Sequence, residues 1–147
     1  GDGAWHGTRA EPLIAAPMAP ICAPAIAARL VTPTDLVHED LLRSYRADEW
    51  ALWFAAAGLP APVLRGPVFD SSALMASAAA AGLGDALAPP SMFARELAAE
   101  TLVQPFAITI DAGRYWLTRL MSRSESEAMQ RFRDWLIGEI AGDAPSG

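Results

Sequence analysis

Every apolar run in this chain is short, and runs with strand character alternate with segments of helical spacing, which limits the folds open to it. Strand candidates are Leu13-Ile14, Pro20-Ile21-Cys22, Leu41 to Tyr45, Val68-Phe69, Ala86 to Ala88, Leu102-Val103, the alternating Ile108 and Ile110, and Tyr115 to Leu120. Between them lie helical segments. One runs from Pro24 to Leu30, because proline at the first helical position costs no hydrogen bond. A short turn follows over Thr32 to Leu36. Asp48 is placed to cap a helix carrying Trp50, Trp53, Phe54 and Ala57, which Gly58 stops. A further helix follows Ser72, carries Leu74, Met75 and Ala78, and ends before Gly82-Leu83-Gly84. Ser91 is placed to cap Met92 to Ala99. Ser124 and Glu127 have capping-box spacing before a stripe of Met129, Phe132, Leu136 and Ile140. The ends, Gly1 to Gly7 and Gly142 to Gly147, read as a loop and a fraying tail. Short strands alternating with helices imply an α/β fold with crossover connections.

A chain of 147 residues fits one domain or two small lobes, and a hydrophobic content of 52% excludes a disordered polar chain. The net charge is -6. Arg43, Arg46, Arg65, Arg95, Arg114, Arg119, Arg131 and Arg133 are scattered among acidic neighbours, whereas a nucleic-acid surface gathers its cations on one face. DNA reading by this segment is therefore not expected. No apolar stretch approaches the roughly 20 residues of a membrane span. The run from Ala73 to Ala81 is too short, and nothing reads as a signal peptide. Cys22, the single cysteine, forms no internal disulfide, which agrees with the cytoplasm, although many periplasmic proteins also lack disulfides.

The residues of a catalytic centre do not converge in the sequence. His38, in Val37-His38-Glu39-Asp40, reads as an exposed turn, and His6 lies in the leading loop. There is no G-x-S-x-G turn, and the apolar surroundings of Cys22 favour a buried inert thiol. No metal motif or cofactor loop is present, so neither metal nor cofactor is expected, and no enzyme activity. One feature stands out. Phe69-Asp70-Ser71-Ser72 places two hydroxyls where a strand gives way to a helix, and the free N–H groups of a first helical turn favour an anion. For a serine pair alone, simple helix capping is the commoner explanation. Tyr115-Trp116 supplies a second aromatic wall or, equally, a buried pair.

These segments also carry a resemblance. Gly3-Ala4-Trp5-His6-Gly7, Glu11-Pro12-Leu13 and Pro20-Ile21-Cys22-Ala23-Pro24-Ala25 resemble the middle of a LysR-type effector-binding domain. His6 stands where the family commonly has proline, and Ala23 where it commonly has serine. Within the family, Leu42-Arg43-Ser44-Tyr45-Arg46-Ala47-Asp48-Glu49-Trp50, Trp53 to Gly58, Pro67 to Ser72, Leu87-Ala88-Pro89-Pro90 and Tyr115 to Leu120 resemble the AmpR-like branch. Arg95-Glu96-Leu97-Ala98 and Phe132-x-x-Trp135-Leu136 continue the likeness.

The resemblance implies a type-II periplasmic-binding-protein-like fold, two α/β lobes around a cleft, with the first lobe incomplete in this chain. Residues 14–112 would form the second lobe, and 1–13 with 113–147 what remains of the first. It implies a sensor of β-lactamase expression that binds muramyl-peptide cell-wall precursors or recycling products. The binding serine falls on Ser72, beside Ser71 and Asp70, and the binding tyrosine on Tyr115; a contributing threonine belongs to the absent front portion. Homo-oligomers would form through the sensor, and DNA would be bound only through a winged helix-turn-helix outside this sequence. An extracytoplasmic solute-binding protein shares the fold class, and the glycine-cleavage-activator branch, with another small ligand, is the nearest relative to confuse with it.

Overall fold

A computed structural model describes residues 5–46 and 48–142. The expected loop before Trp5 and the tail beyond Gly142 lie outside these residues. In chain order the elements are β1 (Thr8–Ile21), α1 (Pro24–Ala27), β2 (Leu41–Ser44), α2 (Glu49–Ala56), β3 (Val68–Phe69), α3 (Ser72–Ala80), β4 (Asp85–Ala88), α4 (Ala94–Ala98), β5 (Ile110–Leu120) and α5 (Glu127–Gly142). Two 3₁₀ turns, Pro33–His38 and Pro90–Phe93, lie between them. The fold is mixed α/β. No helix among the described residues is long and apolar enough to cross a membrane.

The chain divides into two compact units, Pro17–Ala112 and Gly1–Ala16 with Gly113–Gly147. In the first, the strand order is β3-β2-β4-β1. β2 runs parallel to both β3 and β4, with Arg43 opposite Val68 and Leu41 opposite Asp85, while β1 is antiparallel to β4, with Pro20 opposite Leu87. Parallel neighbours need crossovers, which α2 and α3 provide. Beyond the ladder, Cys22 and Val103 exchange both backbone hydrogen bonds, at 3.0 and 2.8 Å.

Side chains alternate across the pleat. On one face Leu41, Cys22 and Leu87 meet Ile26, Leu36, Trp50, Trp53 and Phe54; on the other Leu42, Ile21, Ala86 and Ala88 meet Met75, Ala76, Ala79 and Phe93. The indoles are bonded as well as buried. Trp50 Nε1 donates to the Leu42 carbonyl at 2.8 Å, and Trp53 Nε1 to that of Ile108 at 2.9 Å.

Several local expectations change. Leu13-Ile14 and Pro20-Ile21 belong to one strand, β1, which ends before Cys22; Pro17 lies outside the stretch paired with β4 and its missing N–H breaks no bond there. The Ile110 and Tyr115 runs likewise merge into β5. Asp48 stands at the start of α2 but has a helical backbone (φ -101°, ψ -4°), unlike the extended geometry of a capping side chain, and makes no cap bond. Ser91 caps nothing: Pro89-Pro90 set a 3₁₀ turn first, and α4 begins at Ala94. On α3 the buried face is Met75, Ala76 and Ala79, leaving Leu74 60% exposed. Ser126 rather than Ser124 caps α5, accepting the Met129 N–H at 3.3 Å.

The smaller unit is differently built. Among its described residues Ala16 is the one buried hydrophobic side chain, and the stripe of α5 is open, with Phe132 54% exposed. Truncations should report this contrast. Trp53→Ala is expected to destabilise the chain by about 3–5 kcal/mol, the range for a large buried aromatic, and Phe132→Ala by about 0.5 kcal/mol or less. Denaturant titration followed by circular dichroism measures both.

Candidate ligand site

The parallel strands fix where a ligand site can lie. β2, β3 and β4 point the same way, so Tyr45-Arg46 after β2, Asp70-Ser71-Ser72 after β3 and Pro89-Pro90 after β4 all leave one edge of the sheet. Ligands of open α/β sheets gather outside the carboxyl ends of the strands. Arg43 Nε holds the approach to β3 by donating to the Gly66 carbonyl at 2.7 Å. A Cβ on Gly66 would strike the Leu41 carbonyl, so only glycine lets this segment lie so close to β2.

The three residues of the junction have different tasks. Ser71 is the N-cap of α3, with extended backbone (φ -130°, ψ 125°), and its Oγ accepts the Leu74 N–H at 3.4 Å. Ser72 is the first helical residue and is exposed; its hydroxyl and the N–H groups of Ser72 and Ala73 meet no acceptor among the described residues. Asp70 is exposed and precedes the cap. Ser71 is therefore spent on the helix, while the Ser72 hydroxyl is left without a bond among the described residues.

Tyr115 belongs to the other unit. It is 37% exposed on β5, in a hollow of about 450 Å³ lined by Trp5, Thr8, Arg114, Trp116 and Thr118. Trp5 and Trp116 meet edge to face at 6.3 Å. Partial burial pushes the Tyr115 phenol up, so at neutral pH it stays protonated and able to donate. A second hollow of the same unit, about 390 Å³, lies over Leu117, Met129 and Phe132. Of its charged walls, Arg133 reaches Glu125 at 3.0 Å, while the Arg119 Nε is buried without a hydrogen-bond partner among the described residues.

Sequence reading passed over Tyr45, Arg46 and Asp85. Tyr45 and Arg46 stand at the same strand edge as Ser71, the guanidinium 5.7 Å from the tyrosine ring centre and 3.7 Å from Glu49. Tyr45 ends the strand candidate Leu41 to Tyr45 and Arg46 follows it, and that position was the signal. Asp85 is fully buried at the start of β4. Cys22 is fully buried and free, its thiol held protonated by burial and then by the adjacent Asp85. No three histidine, cysteine, aspartate or glutamate side chains among the described residues are grouped to hold a metal.

The LysR substrate binding domain family matches residues 1–141 of the chain. The chain belongs to that family. Within it the likeness is to AmpR proteins. The HTH-type transcriptional activator AmpR of Pseudomonas aeruginosa is 56% identical over 146 residues, 98% of this chain and 49% of that protein. The chain thus spans about half the length of the curated relatives it matches. The solved effector domain of that regulator superposes with a TM-score of 0.94 at 56% identity, over 98% of this chain and 70% of that one. A Citrobacter freundii effector binding domain, 48% identical with a TM-score of 0.91 over 95% of this chain and 72% of that one, contains three substitutions: a threonine to valine, a serine to alanine and a tyrosine to phenylalanine.

The division of labour between the serines is directly measurable. Ser71→Ala removes the cap and is expected to cost about 1 kcal/mol. Ser72→Ala, at an exposed position without a bond, is expected to cost less than about 0.5 kcal/mol. Thermal melts of the two variants should separate in that order.

Proposed function

We propose that this chain is the greater part of the effector-sensing domain of an AmpR-type LysR regulator of β-lactamase expression, binding muramyl-peptide cell-wall precursors or recycling products in the cytoplasm. Its units, approximately 14–112 and 1–13 with 113–147, are the sensor's lobes. The full protein reads DNA through a winged helix-turn-helix elsewhere in its chain and self-associates through the sensor.

The observation that carries this reading is the hydroxyl set. The substitutions in the Citrobacter freundii domain each take away one hydroxyl, and its serine and tyrosine lie as many positions apart as Ser72 and Tyr115 do here. Ser72 combines a free hydroxyl with the free N–H groups at the start of α3, a setting suited to a peptide carboxylate. Tyr115 adds a protonated phenol beside an aromatic wall, suited to the less polar parts of such a ligand. Arg46 brings a cation to the strand edge that Ser72 shares.

Calorimetry with a muramyl peptide on the complete effector domain tests this. Loss of one hydrogen bond to a charged ligand group costs about 1.5–3 kcal/mol, so Ser72→Ala should weaken binding roughly 10- to 150-fold. Tyr115→Phe should weaken binding while leaving the melting temperature within a few degrees. Parental affinity in both variants would remove these residues from the site.

A further inference from the structure

Asp85 opens β4 and is 0% exposed. Alternation along β4 places its side chain with Leu87, toward the core of Trp50, Trp53 and Phe54. Its main-chain N–H donates to the Asp40 carbonyl at 2.9 Å, but no donor reaches either carboxylate oxygen. Three titratable or charged groups face it: the Cys22 thiol from the end of β1, and Arg29 and Glu39 from the segments on either side of the first 3₁₀ turn. None of them neutralises it. Cys22 is a protonated thiol, and Arg29 is engaged by both oxygens of Glu39. An ionised Asp85 would lose its hydration and find only the weak donor of the Cys22 thiol in return.

We propose that Asp85 is a proton-controlled latch in the Pro17–Ala112 unit, whose core closes fully only over the neutral carboxyl. Burial is the main cause holding the group at about 7 instead of 3.8; the Cys22 thiol and Arg29 favour the ion, while the Glu39 charge acts with burial against it. The folded unit therefore keeps a proton that the unfolded chain releases. Stability is highest below the unfolded value, falls as pH rises from about 4 to about 7, and levels off above that. One proton changes the folding constant by up to about tenfold per pH unit in this interval. Asp35 and Glu39 act oppositely: hydrogen bonds from Thr32 and Val31, and from Arg29, hold them below their usual values, so their contribution fades only in stronger acid.

The latch stands at a sensitive place. Asp85 follows Gly84, where a Cβ would strike the Asp40 carbonyl, and β4 is joined to α3 by the short turn through Gly82. Ionisation therefore loosens the strand that anchors the helix bearing Ser71 and Ser72. This holds whatever ligand the helix meets.

Amide hydrogen exchange of the chain between pH 5.5 and 8, corrected for the intrinsic pH dependence of exchange, reads the opening of β2 and β4. In the parent, the opening constant of the peptides holding Leu41-Leu42 and Ala86-Leu87 should rise about tenfold or more from pH 5.5 to 7.5. Asp85→Asn should flatten that rise, and Asp85→Val should flatten it while increasing protection at every pH. A flat parent profile, or an unchanged slope in either variant, would overturn the latch.

Discussion

All four residues of β4 are buried, and the larger unit is arranged around that burial. A strand covered on both faces and both edges must hand every backbone group to a neighbour. Here β2 takes one edge and β1 the other, while α3 covers one face and α1 with α2 the other. Close approach is permitted by glycines at two points, Gly66 against Leu41 and Gly84 against Asp40, where any side chain would drive the strands apart. The same closure buries Asp85 fully, so the packing that makes the unit stable also makes it sensitive to one proton.

Much of this is local chemistry and was legible in the chain. Gly58 and Gly82 end their helices with φ of 73° and 80°, and Pro24 opens α1, as single residues dictate. The Asp70-Ser71-Ser72 junction could be read because a polar pair between strand and helix signals itself within four residues. What stayed hidden depends on closure in three dimensions. Pro17 looked like a break in β1, since nothing local shows which edge of a strand carries the ladder. Asp85 fell between Gly84 and the strand candidate Ala86 to Ala88 and drew no reading; only the assembled sheet takes its carboxyl out of water. The caps of α4 and α5 were misplaced because several polar residues stand near each helix start, and Asp48 takes the cap position of α2 without a cap bond because its backbone is helical.

The two residues proposed to meet the ligand stand in different settings. Ser72 stands on a helix anchored in a closed core, whereas Tyr115 stands on β5 in a unit whose apolar side chains are largely uncovered. Family membership gives that contrast a frame, since the solved AmpR effector domain is longer than the part this chain matches. The chemistry offered to a ligand is consistent across both: hydroxyls, free helix N–H groups and aromatic surface, with no grouped metal ligands among the described residues.

Native mass spectrometry of the complete effector domain, mixed with an anhydro-muramyl peptide and with a nucleotide-linked muramyl pentapeptide, tests the sensing role most directly. The account predicts a one-to-one complex with at least one of these ligands, and its loss when Ser72 and Tyr115 are replaced together by alanine and phenylalanine. A folded domain that retains neither ligand, or a double variant that retains them as the parent does, would contradict it.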